Sequence, residues 1–351
     1  MKRALAAGLV LAAACVPQAV TPSPTPTATA TATAAATTAP PSPTATGRSV
    51  PPFARATPVA VPRDAFNVAF DRDRVAYLDG SEVFVIEVAT GQRKSLHKVG
   101  QGWTAELDPA GLAGDTLVLI ETRTDGQRTD GRVLRFDLRG GAPVTLDDFS
   151  GPFLGGGDTY RPRPPVTNGR DALWIRVDED TRPFGIDVVV SRGGGAKQDL
   201  QTGSSAVWID LGEDGRVLIS TLLAQGDRSE LTLVRDGART SLGTRPPEQG
   251  GPAFFVAGGV YWSIGTGIVR PTSSGEQLSL DGSQRRTIEL GSGCNWIGAT
   301  AKHIGIFCQG TGPRIIDLAT SEERGIPATA ARFAPRAVLW LEGGQWWLGA
   351  L

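Results

Sequence analysis

Short runs of apolar residues recur along most of the chain, and each run follows a polar turn. The turns before seven of these runs are separated by 41, 56, 45, 43, 43 and 34 residues, with a mean of about 44. A repeat of about 40–50 residues that carries four strands is typical of a β-propeller, in which each repeat forms one blade. The seven runs are Val75–Leu78, Leu117–Ile120, Leu173–Ile175, Val217–Ile219, Val260–Trp262, Ile304–Phe307 and Val338–Trp340.

Turn signals between the runs favour antiparallel hairpins. Asp-Gly and Asn-Gly pairs suit type I′ turns because both central residues take a positive φ. No amphipathic pattern long enough for a helix occurs between Val61 and Leu351, so the predicted fold class is all-β. The pairs are Asp79–Gly80, Asp125–Gly126, Asp130–Gly131, Asn168–Gly169, Asp214–Gly215, Asp236–Gly237 and Asp281–Gly282.

The repeats share one internal order. A strand with aromatic residues, such as Trp208–Leu211, precedes the apolar run. An alternating strand such as Val83–Val88 follows the run, and a polar strand such as Arg93–Leu96 closes the repeat. We expect the aromatic side chains to fill the space between adjacent blades, which is how one blade buries the face of the next.

The last repeat is short, since Arg332–Gly349 supplies at most three strands. We therefore predict that Thr57–Val61 completes the last blade and closes a seven-bladed β-propeller over residues 56–351. Closure removes an exposed sheet edge, which would otherwise invite aggregation. A six-bladed ring is the alternative, in which residues 331–351 and 60–70 form one sheet.

The N-terminal residues differ from the repeats. Met1–Arg3 is cationic and Ala4–Ala14 is a mostly apolar run, which together predict a secretory signal peptide over residues 1–14. Such a short run cannot span a bilayer, which needs about 20 residues. Residues 15–55 are rich in Thr, Ala and Pro and have no periodic apolar face, so we predict a disordered linker there.

The stretch Leu11–Cys15 resembles a bacterial lipoprotein signal, although Ala12 stands where such signals favour Leu. The resemblance implies cleavage before Cys15 and a lipid on its sulfur. The protein would then be extracytoplasmic and anchored to the bacterial cell membrane. Ordinary cleavage after Ala14 is the alternative.

Three segments resemble the repeats of TolB-like and WD40-like propellers. Asp137–Leu146 is similar to the strand-turn-strand ending of those repeats, and Glu87–Gln92 and Ile316–Thr320 resemble their Asp-Ala-Thr-Gly turn. As a repeat style, the resemblance extends over about residues 60–351. It implies the fold and a binding or scaffold role, but it identifies no catalytic residue.

Composition excludes several classes of function. The chain has 35 Lys and Arg against 36 Asp and Glu, so no basic excess supports nucleic-acid binding. Two His in 351 residues disfavour histidine metal sites and haem, and we predict no cofactor. There is no Gly-x-Ser-x-Gly elbow and no P-loop, so no catalytic residue is nominated. Asp71 with Asp73, and Asp178–Asp180, could offer oxygen ligands to Ca²⁺, but without an EF-hand spacing they are better interpreted as hairpin ends.

Cys294 and Cys308 flank a turn near Thr300–Lys302, and the midpoint between them lies inside that turn. If they lie on neighbouring antiparallel strands, they face each other at a distance that a disulfide can bridge. Export favours oxidation, so we predict a disulfide. Two buried free thiols are the alternative.

One connection is longer than the repeat requires. Residues 147–170 form the expanded link between the second and third repeats. Long connections in compact domains are often functional, and this one contains side chains suited to an anionic or carbonyl-bearing partner. A linker without a ligand is the alternative. The candidate binding residues are Asp158, Tyr160, Arg161 and Arg163.

These observations predict a non-enzymatic β-propeller, anchored to the membrane through lipid on Cys15. We expect a monomer that binds a protein, peptide or glycan through loops on one face, and no nucleic acid. One alternative is a polysaccharide hydrolase or lyase that uses two carboxylates in the central channel. Another is an envelope assembly scaffold like the TolB group.

Overall fold

Antiparallel strands connected by tight turns make up nearly all of the structure. The computed structural model describes residues 48–50, 53–65, 67–125, 128–152, 163–177, 186–222, 228–246, 249–264, 274–291 and 293–351. Within these ranges the chain forms 29 strands, one 3-10 helix at Pro109–Gly111, and no α-helix. Among the residues that the structure describes, no helix is long and apolar enough to cross a membrane. The predicted signal peptide, Cys15 and most of the predicted linker lie outside the described residues.

The strands group into seven blades. The N-terminal strands are β1 (Arg48–Val50) and β2 (Phe53–Val59). Blade 1 contains β3 (Val68–Phe70), β4 (Arg74–Asp79), β5 (Glu82–Glu87) and β6 (Arg93–Lys98). Blade 2 contains β7 (Thr104–Glu106), β8 (Leu112–Ala113), β9 (Thr116–Asp125), β10 (Arg128–Asp137) and β11 (Val144–Pro152). Blade 3 contains β12 (Arg163–Thr167), β13 (Ala172–Val177), β14 (Ile186–Ser191) and the first part of β15 (Lys197–Leu211).

Blade 4 contains the second part of β15, with β16 (Val217–Leu222), β17 (Ser229–Arg235) and β18 (Ala238–Arg245). Blade 5 contains β19 (Ala253–Val256), β20 (Gly259–Ser263), β21 (Ser274–Leu278) and β22 (Arg285–Glu289). Blade 6 contains β23 (Cys294–Ala299), β24 (His303–Cys308), β25 (Gly312–Asp317) and β26 (Glu323–Gly325). Blade 7 contains β27 (Ala330–Ala334), β28 (Ala337–Glu342) and β29 (Gln345–Ala350), together with β2 and β1.

Strands within each blade pair antiparallel, from the innermost strand outwards. β15 belongs to two blades, because its first part pairs with β14 and its second part pairs with β16. In blade 2 the 3-10 helix separates β7 from β8, and both of these strands pair with β9. Asp108 caps this helix, accepting a hydrogen bond of 2.8 Å from the backbone N–H of Ala110.

Seven buried apolar clusters lie between the blades, one at each interface between neighbours. The second strands contribute large side chains that are fully buried, including Tyr77, Trp174, Trp262 and Trp340. Burying a large apolar side chain stabilises the fold by roughly 1.5–3 kcal/mol. Seven interfaces close a ring of seven blades, so the prediction of seven blades is confirmed and the six-bladed alternative is wrong.

The N-terminal segment closes the ring, as the sequence predicts. β2 pairs with β29, with Ala56 opposite Gly349 and Val59 opposite Trp346. This strand begins at Phe53, three residues before the predicted start of the domain at residue 56. The reason is that Phe53 is buried and stacks on Trp340, with ring centroids 5.1 Å apart.

Most of the predicted Asp-Gly turns connect strands, but one does not. Asp236–Gly237 joins β17 to β18, with φ of 48° and 81° as a type I′ turn requires. Asp130–Gly131, in contrast, lies inside β10, where Gly131 pairs with Phe149. A Cβ on Gly131 would come within 2.1 Å of the Phe149 ring, so this glycine makes room for an aromatic ring instead of a turn.

A circle of hydrogen bonds joins all seven blades at or beside the turns between their first and second strands. These contacts act in addition to the apolar clusters, so each interface has both packing and a directional link. In order around the ring, the bonds are Arg336 to Asp71, Gly114 N–H to Asp71, Thr116 to Gly169, Asn168 to Gly212, Phe255 N–H to Asp210, Ala257 N–H to Ala301, and Ala301 N–H to Pro335.

Cys294 and Cys308 face each other on β23 and β24, as the sequence predicts. Their Cα atoms are 4.0 Å apart, and the two sulfur atoms form a disulfide in the structure. The bond links the beginning of blade 6's first strand to the end of its second strand. Oxidation of the pair in the cell stays a prediction.

Candidate functional site

The innermost strands enclose a cavity of about 200 Å³ in the central channel. Six of the seven blades contribute residues to its wall, so the cavity exists only when the ring is assembled. Concave sites with a mostly apolar wall and a few polar groups are the usual places for ligands. The residues that line the cavity include Asp108, Pro164, Trp208, Asp210, Phe254 and Trp296.

Three aromatic side chains form one wall of this cavity. The ring centroid of Trp296 lies 5.5 Å from that of Trp208, with the two ring planes at 87° to each other. The same centroid lies 5.7 Å from that of Phe254, with the planes at 53°. All three are half-buried. They come from the first strands of blades 4, 5 and 6, so they present ring faces and edges to the same space. We call Trp208, Phe254 and Trp296 the aromatic wall.

Asp210 lies next to the aromatic wall. It follows Trp208 by two residues on β15, so both side chains are on the same side of the strand. Its two carboxylate oxygens accept hydrogen bonds from the backbone N–H of Leu211 at 2.9 Å and of Phe255 at 2.7 Å. Burial raises the pKa of Asp210 to about 6, although the two hydrogen bonds oppose the rise. Asp210 therefore changes charge within the physiological range of pH.

Asp108 is the second carboxylate on the cavity wall, and its charge contributes to the raised pKa of Asp210. Among the described lining residues there is no Lys, Arg or His. The cavity thus combines two carboxyl groups with aromatic and aliphatic walls, and its described part has no cation of its own.

A second cavity, of about 250 Å³, lies at the end of the channel surrounded by the circle of hydrogen bonds. Its polar lining includes Asp71 and Arg336, which form an ion pair, and the exposed Glu213. Asp71 also accepts a hydrogen bond from the backbone N–H of Gly114 at 2.9 Å. These contacts link blades 7, 1 and 2, so Asp71 serves ring closure here.

A polar groove of about 420 Å³ lies between blades 3 and 4 and contains four arginines. Each arginine has an acidic partner within 4 Å, so most of the positive charge is already balanced. The arginines are Arg170 and Arg192, both paired with Asp171, Arg216, paired with Asp214, and Arg235, paired with Asp236.

A buried ionic cluster between blades 1 and 2 surrounds Glu121. His97 Nε2 lies 2.8 Å from one oxygen of Glu121, and Arg132 donates to the other. Burial alone would raise the pKa of Glu121, but these two hydrogen bonds outweigh it and lower the pKa. Both oxygens have partners, so the cluster links two blades and does not provide a free base.

Most of the predicted binding loop cannot be compared with the structure. Asp158, Tyr160 and Arg161 lie outside the described residues. Arg163 is the first residue of β12, where it pairs with Ile175. Pro164, the next residue, lines the channel cavity, so the predicted loop leads directly into the wall of this site.

Metal ligands are not gathered in the described part of the chain, where no group of three or more His, Cys, Asp or Glu could hold a metal ion. Asp71 already accepts hydrogen bonds from the Arg336 side chain and from the backbone N–H of Gly114. Residues 178–180 lie outside the described residues.

The sequence predicts that first-strand aromatic residues fill the space between blades, and Phe254 and Trp296 do pack against the apolar cluster between blades 5 and 6. The sequence does not single out Asp210, nor does it predict that Trp208, Phe254 and Trp296 also line the channel. The spacing of these three residues along the chain does indicate equivalent positions, because they are separated by 46 and 42 residues, about one repeat each. Equivalent positions on innermost strands converge at the axis of a propeller, but the sequence alone does not show which of them remain partly exposed.

No protein-family model matches the chain, and no curated protein matches it. Solved structures do resemble it. An oligogalacturonate lyase from Vibrio parahaemolyticus has a TM-score of 0.54 and 10% identity, over 84% of this chain and 93% of its own. A chain of the mitotic checkpoint complex has a TM-score of 0.52 and 12% identity, over 85% of this chain and 95% of its own.

A prolyl endopeptidase also resembles the chain, with a TM-score of 0.53 and 14% identity. This match covers 78% of the present chain and 44% of the endopeptidase. At these identities the resemblance shows the fold alone. The protein is a seven-bladed β-propeller, and its fold is shared by proteins with different activities.

Proposed function

We propose that this protein is an extracytoplasmic binding module that holds a ligand in its central channel. The observation that carries the proposal is the aromatic wall, formed by Trp208, Phe254 and Trp296 in a concave cavity. Tryptophans on second strands, such as Trp174 and Trp262, are by contrast completely buried. Aromatic rings that are partly exposed in a concave cavity are a common feature of ligand-binding sites.

The remaining part of the proposal concerns location and partners. Lipid on Cys15 would anchor the protein outside the cytoplasmic membrane, and the Thr/Ala/Pro-rich linker would separate the propeller from the membrane surface. The partner would be a protein, peptide or glycan that presents one group to the channel. The predicted loop that leads into β12 would contact the remainder of the partner.

The binding proposal is tested with the purified full mature chain on peptide and glycan arrays. Trp296→Ala and Phe254→Ala should each weaken the binding of any ligand found by at least tenfold, because they remove parts of the aromatic wall. Phe307→Ala is the matched control, since Phe307 is an exposed aromatic residue on β24 of the same propeller. Ligands that bind the Trp296 and Phe254 variants as tightly as the wild type would exclude the channel as the binding site.

The anchor is tested separately. Intact mass of the membrane-extracted protein should show cleavage before Cys15 and an added lipid mass. Cys15→Ser should move the protein from the membrane fraction to the soluble extracytoplasmic fraction. A mature protein that begins at Cys15 without lipid would refute the anchor without affecting the binding proposal.

A second candidate function is hydrolysis or elimination on a polysaccharide. It is favoured by two carboxyl groups on one cavity, one of them with its pKa raised to about 6, as general acid–base catalysis requires. Against it, both oxygens of Asp210 already accept backbone hydrogen bonds. Incubation with oligogalacturonate and other acidic glycans, followed by mass spectrometry, tests this function. Product formation that Asp210→Asn abolishes would establish it.

A further inference from the structure

We propose that the polar groove between blades 3 and 4 binds a phosphate group, either as the free ion or as a monoester. The groove is separate from the channel cavity, so this inference goes beyond the proposed function and does not depend on it. It is carried by the place of the groove in the fold, by two arginines that share one carboxylate, and by the excess of positive charge around them.

Turns of two neighbouring blades form the groove. Arg170 and Arg216 belong to the turns between first and second strands, and Arg192 and Asp236 belong to the turns between third and fourth strands. In antiparallel blades these two kinds of turn lie at the same end of the ring. All residues that line the groove lie within the described ranges. Its volume of about 420 Å³ is within the range of about 300–1,000 Å³ that is usual for ligand sites.

Arg170 and Arg192 share the carboxylate of Asp171, which is buried. Arg170 Nη2 and Arg192 Nη1 both donate to Oδ2, each at 3.0 Å, so these two nitrogens are at most about 6 Å apart. Burial alone would raise the pKa of this carboxyl group, but hydrogen bonds from Arg170, from the N–H of Gly193 and from Arg192 outweigh it and lower the pKa. Two guanidinium groups on one ionised carboxylate leave one positive charge without a counter-ion.

Gly215 allows this pair of arginines to approach the backbone of blade 4. Arg192 also donates to the carbonyl oxygen of Gly215. A Cβ at Gly215 would come within 2.8 Å of Arg170 Nη2 and 3.0 Å of Arg192 Nη1. The missing side chain therefore fixes two guanidinium groups of blade 3 against a turn of blade 4. Donors that are already fixed in place lose little conformational entropy when a ligand binds.

Two more arginines border the groove, and neither has a carboxylate partner within 4 Å in the described part of the chain. Arg135 donates to the carbonyl oxygens of Arg170 and of the glycine before it, at 3.1 and 3.3 Å. Arg239 donates to the carbonyl oxygen of Leu200, a lining residue, and to the side chain of the glutamine that follows. All of these acceptors are uncharged, so both guanidinium groups add to the positive charge of the groove.

The sum of these charges favours an anion with two negative charges. In and beside the groove there are six arginines, and three aspartates pair with four of them. Glu213, beside Asp214 in the same turn, is a further acid that lines the end of the channel. With Glu213 included, an excess of two positive charges remains. A phosphate monoester carries about −1.5 to −2 at neutral pH, and its oxygens accept the strong hydrogen bonds that guanidinium groups donate.

The experiment measures binding to the full mature chain by NMR titration at pH 7.5 and low ionic strength, where screening is weak. The backbone N–H signals of Gly193 and Gly215 report on the groove. The ligands are inorganic phosphate, methyl phosphate and dimethyl phosphate, which carries a single negative charge. We expect inorganic phosphate and methyl phosphate to bind at least fivefold more tightly than dimethyl phosphate. The comparison between the first two distinguishes the free ion from an ester as the source of the phosphate group.

Arginine variants test the donors. Arg170→Gln and Arg216→Gln should each reduce the affinity for inorganic phosphate at least fivefold. Asp171 retains Arg192 and the N–H of Gly193 as partners when Arg170 is replaced, so we expect this variant to fold. Arg324→Gln is the matched control, because Arg324 pairs with Glu322 alone at an exposed position of blade 6 and should leave phosphate binding unchanged.

A gain of affinity provides a readout that misfolding cannot produce. Asp214 pairs with Arg216 through Oδ2 at 2.6 Å and accepts the backbone N–H of Arg216 through Oδ1 at 3.2 Å. Asparagine can retain the second contact but has no charge to compete with an anion. Asp214→Asn should therefore raise the affinity for inorganic phosphate about two- to fivefold. Asp79→Asn is the control, since Asp79 pairs with Arg93 in blade 1 and should cause no rise.

Several results would overturn the proposal. Equal binding of methyl phosphate and dimethyl phosphate, or acetate that binds as tightly as phosphate, would contradict a site for a phosphate dianion. Phosphate that shifts neither glycine signal would exclude the groove, and so would unchanged affinity in the folded Arg216→Gln variant. If Arg170→Gln fails to fold, Arg216→Gln and Asp214→Asn decide the question. None of these results affects a ligand from the arrays that depends on Trp296, so the proposed function is tested separately.

Discussion

The carboxyl group of Asp210 serves both the fold and the channel. It accepts the backbone N–H of Phe255 in the next blade, which links blade 4 to blade 5. It also lies on the wall of the channel cavity, where burial raises its pKa to about 6. Titration of this one residue therefore connects the stability of an interface to the charge of the candidate site.

Asp210 should make the stability of the protein depend on pH. Because its pKa is raised in the folded state, its contribution is fully present below the unfolded value of about 3.9 and is lost as the pH rises through about 6. A difference of about two pKa units corresponds to about 3 kcal/mol. The free energy of unfolding of the wild type relative to Asp210→Asn should fall by about this amount between pH 4 and pH 7.

Chemical denaturation at several pH values measures this effect. Asp281→Asn serves as the control because hydrogen bonds from Ser279 and Ser283 lower the pKa of Asp281 to about 2, below the tested window. A difference between wild type and Asp210→Asn that stays constant from pH 4 to pH 7 would contradict the assigned titration.

Some of these residue-scale features could be predicted from the sequence. Cys294 and Cys308 could be paired because a single turn between two strands fixes which residues are opposite. Asp210 could not be nominated, because its importance depends on Phe255 and Asp108, which lie in other repeats. The sequence also predicts a turn at Asp130–Gly131, but Gly131 makes room for the ring of Phe149, which lies on the neighbouring strand.

At the scale of strands, the second strand of each blade is the element that the sequence predicts best. Each second strand is packed on both faces, which requires an uninterrupted apolar run such as Val338–Trp340. First strands are harder to interpret. In blade 6, Gly298 and Gly305 are opposite each other, and a Cβ on either would come within 2.3–2.7 Å of Phe333 in blade 7. The absence of side chains at these two positions makes space for an aromatic ring from the neighbouring blade.

The disulfide of blade 6 should stabilise the folded protein. A bond between Cys294 and Cys308, 14 residues apart, constrains the unfolded chain by about 3 kcal/mol in the chain-entropy description. The double variant Cys294→Ser, Cys308→Ser should lose about this amount in the free energy of unfolding. Reductant should destabilise the wild type similarly and leave the double variant unchanged.

Alkylation without reductant, followed by mass spectrometry, measures the oxidation state directly. Neither Cys294 nor Cys308 should be labelled in protein isolated from the cells that produce it. Labelling of both residues would show free thiols and would contradict the predicted disulfide.

The whole ring depends on contacts between its first and last blades. Blade 7 combines β27, β28 and β29 from the end of the chain with β2 from its beginning. Arg336 of blade 7 pairs with Asp71 of blade 1, which also accepts the N–H of Gly114 in blade 2. One carboxylate thus holds three blades together at the point where the ring closes.

Removing this carboxylate should weaken the entire propeller. Asp71→Ala leaves Gly114 N–H and Arg336 without their acceptor, and a buried polar group without a partner costs about 1–3 kcal/mol. We expect the free energy of unfolding to fall by about 2–3 kcal/mol, in one transition. Asp79→Ala is the matched control, because Asp79 in the same blade pairs with Arg93 where both side chains are exposed. Exposed pairs contribute about 0–1 kcal/mol, so equal losses in the two variants would refute the role of Asp71.

The closing strand β2 is also the route by which the residues before Arg48 connect to the propeller. Any mechanical tension between an anchor at Cys15 and a ligand held by the ring would be transmitted through β2 to its pairing with β29. The pairing of β2 with β29, which closes the ring, would then be the first part of the propeller to experience this tension. Phe53, which packs against Trp340 and Gly349 at the start of β2, is placed to resist separation of β2 from β29 beginning at its N-terminal end.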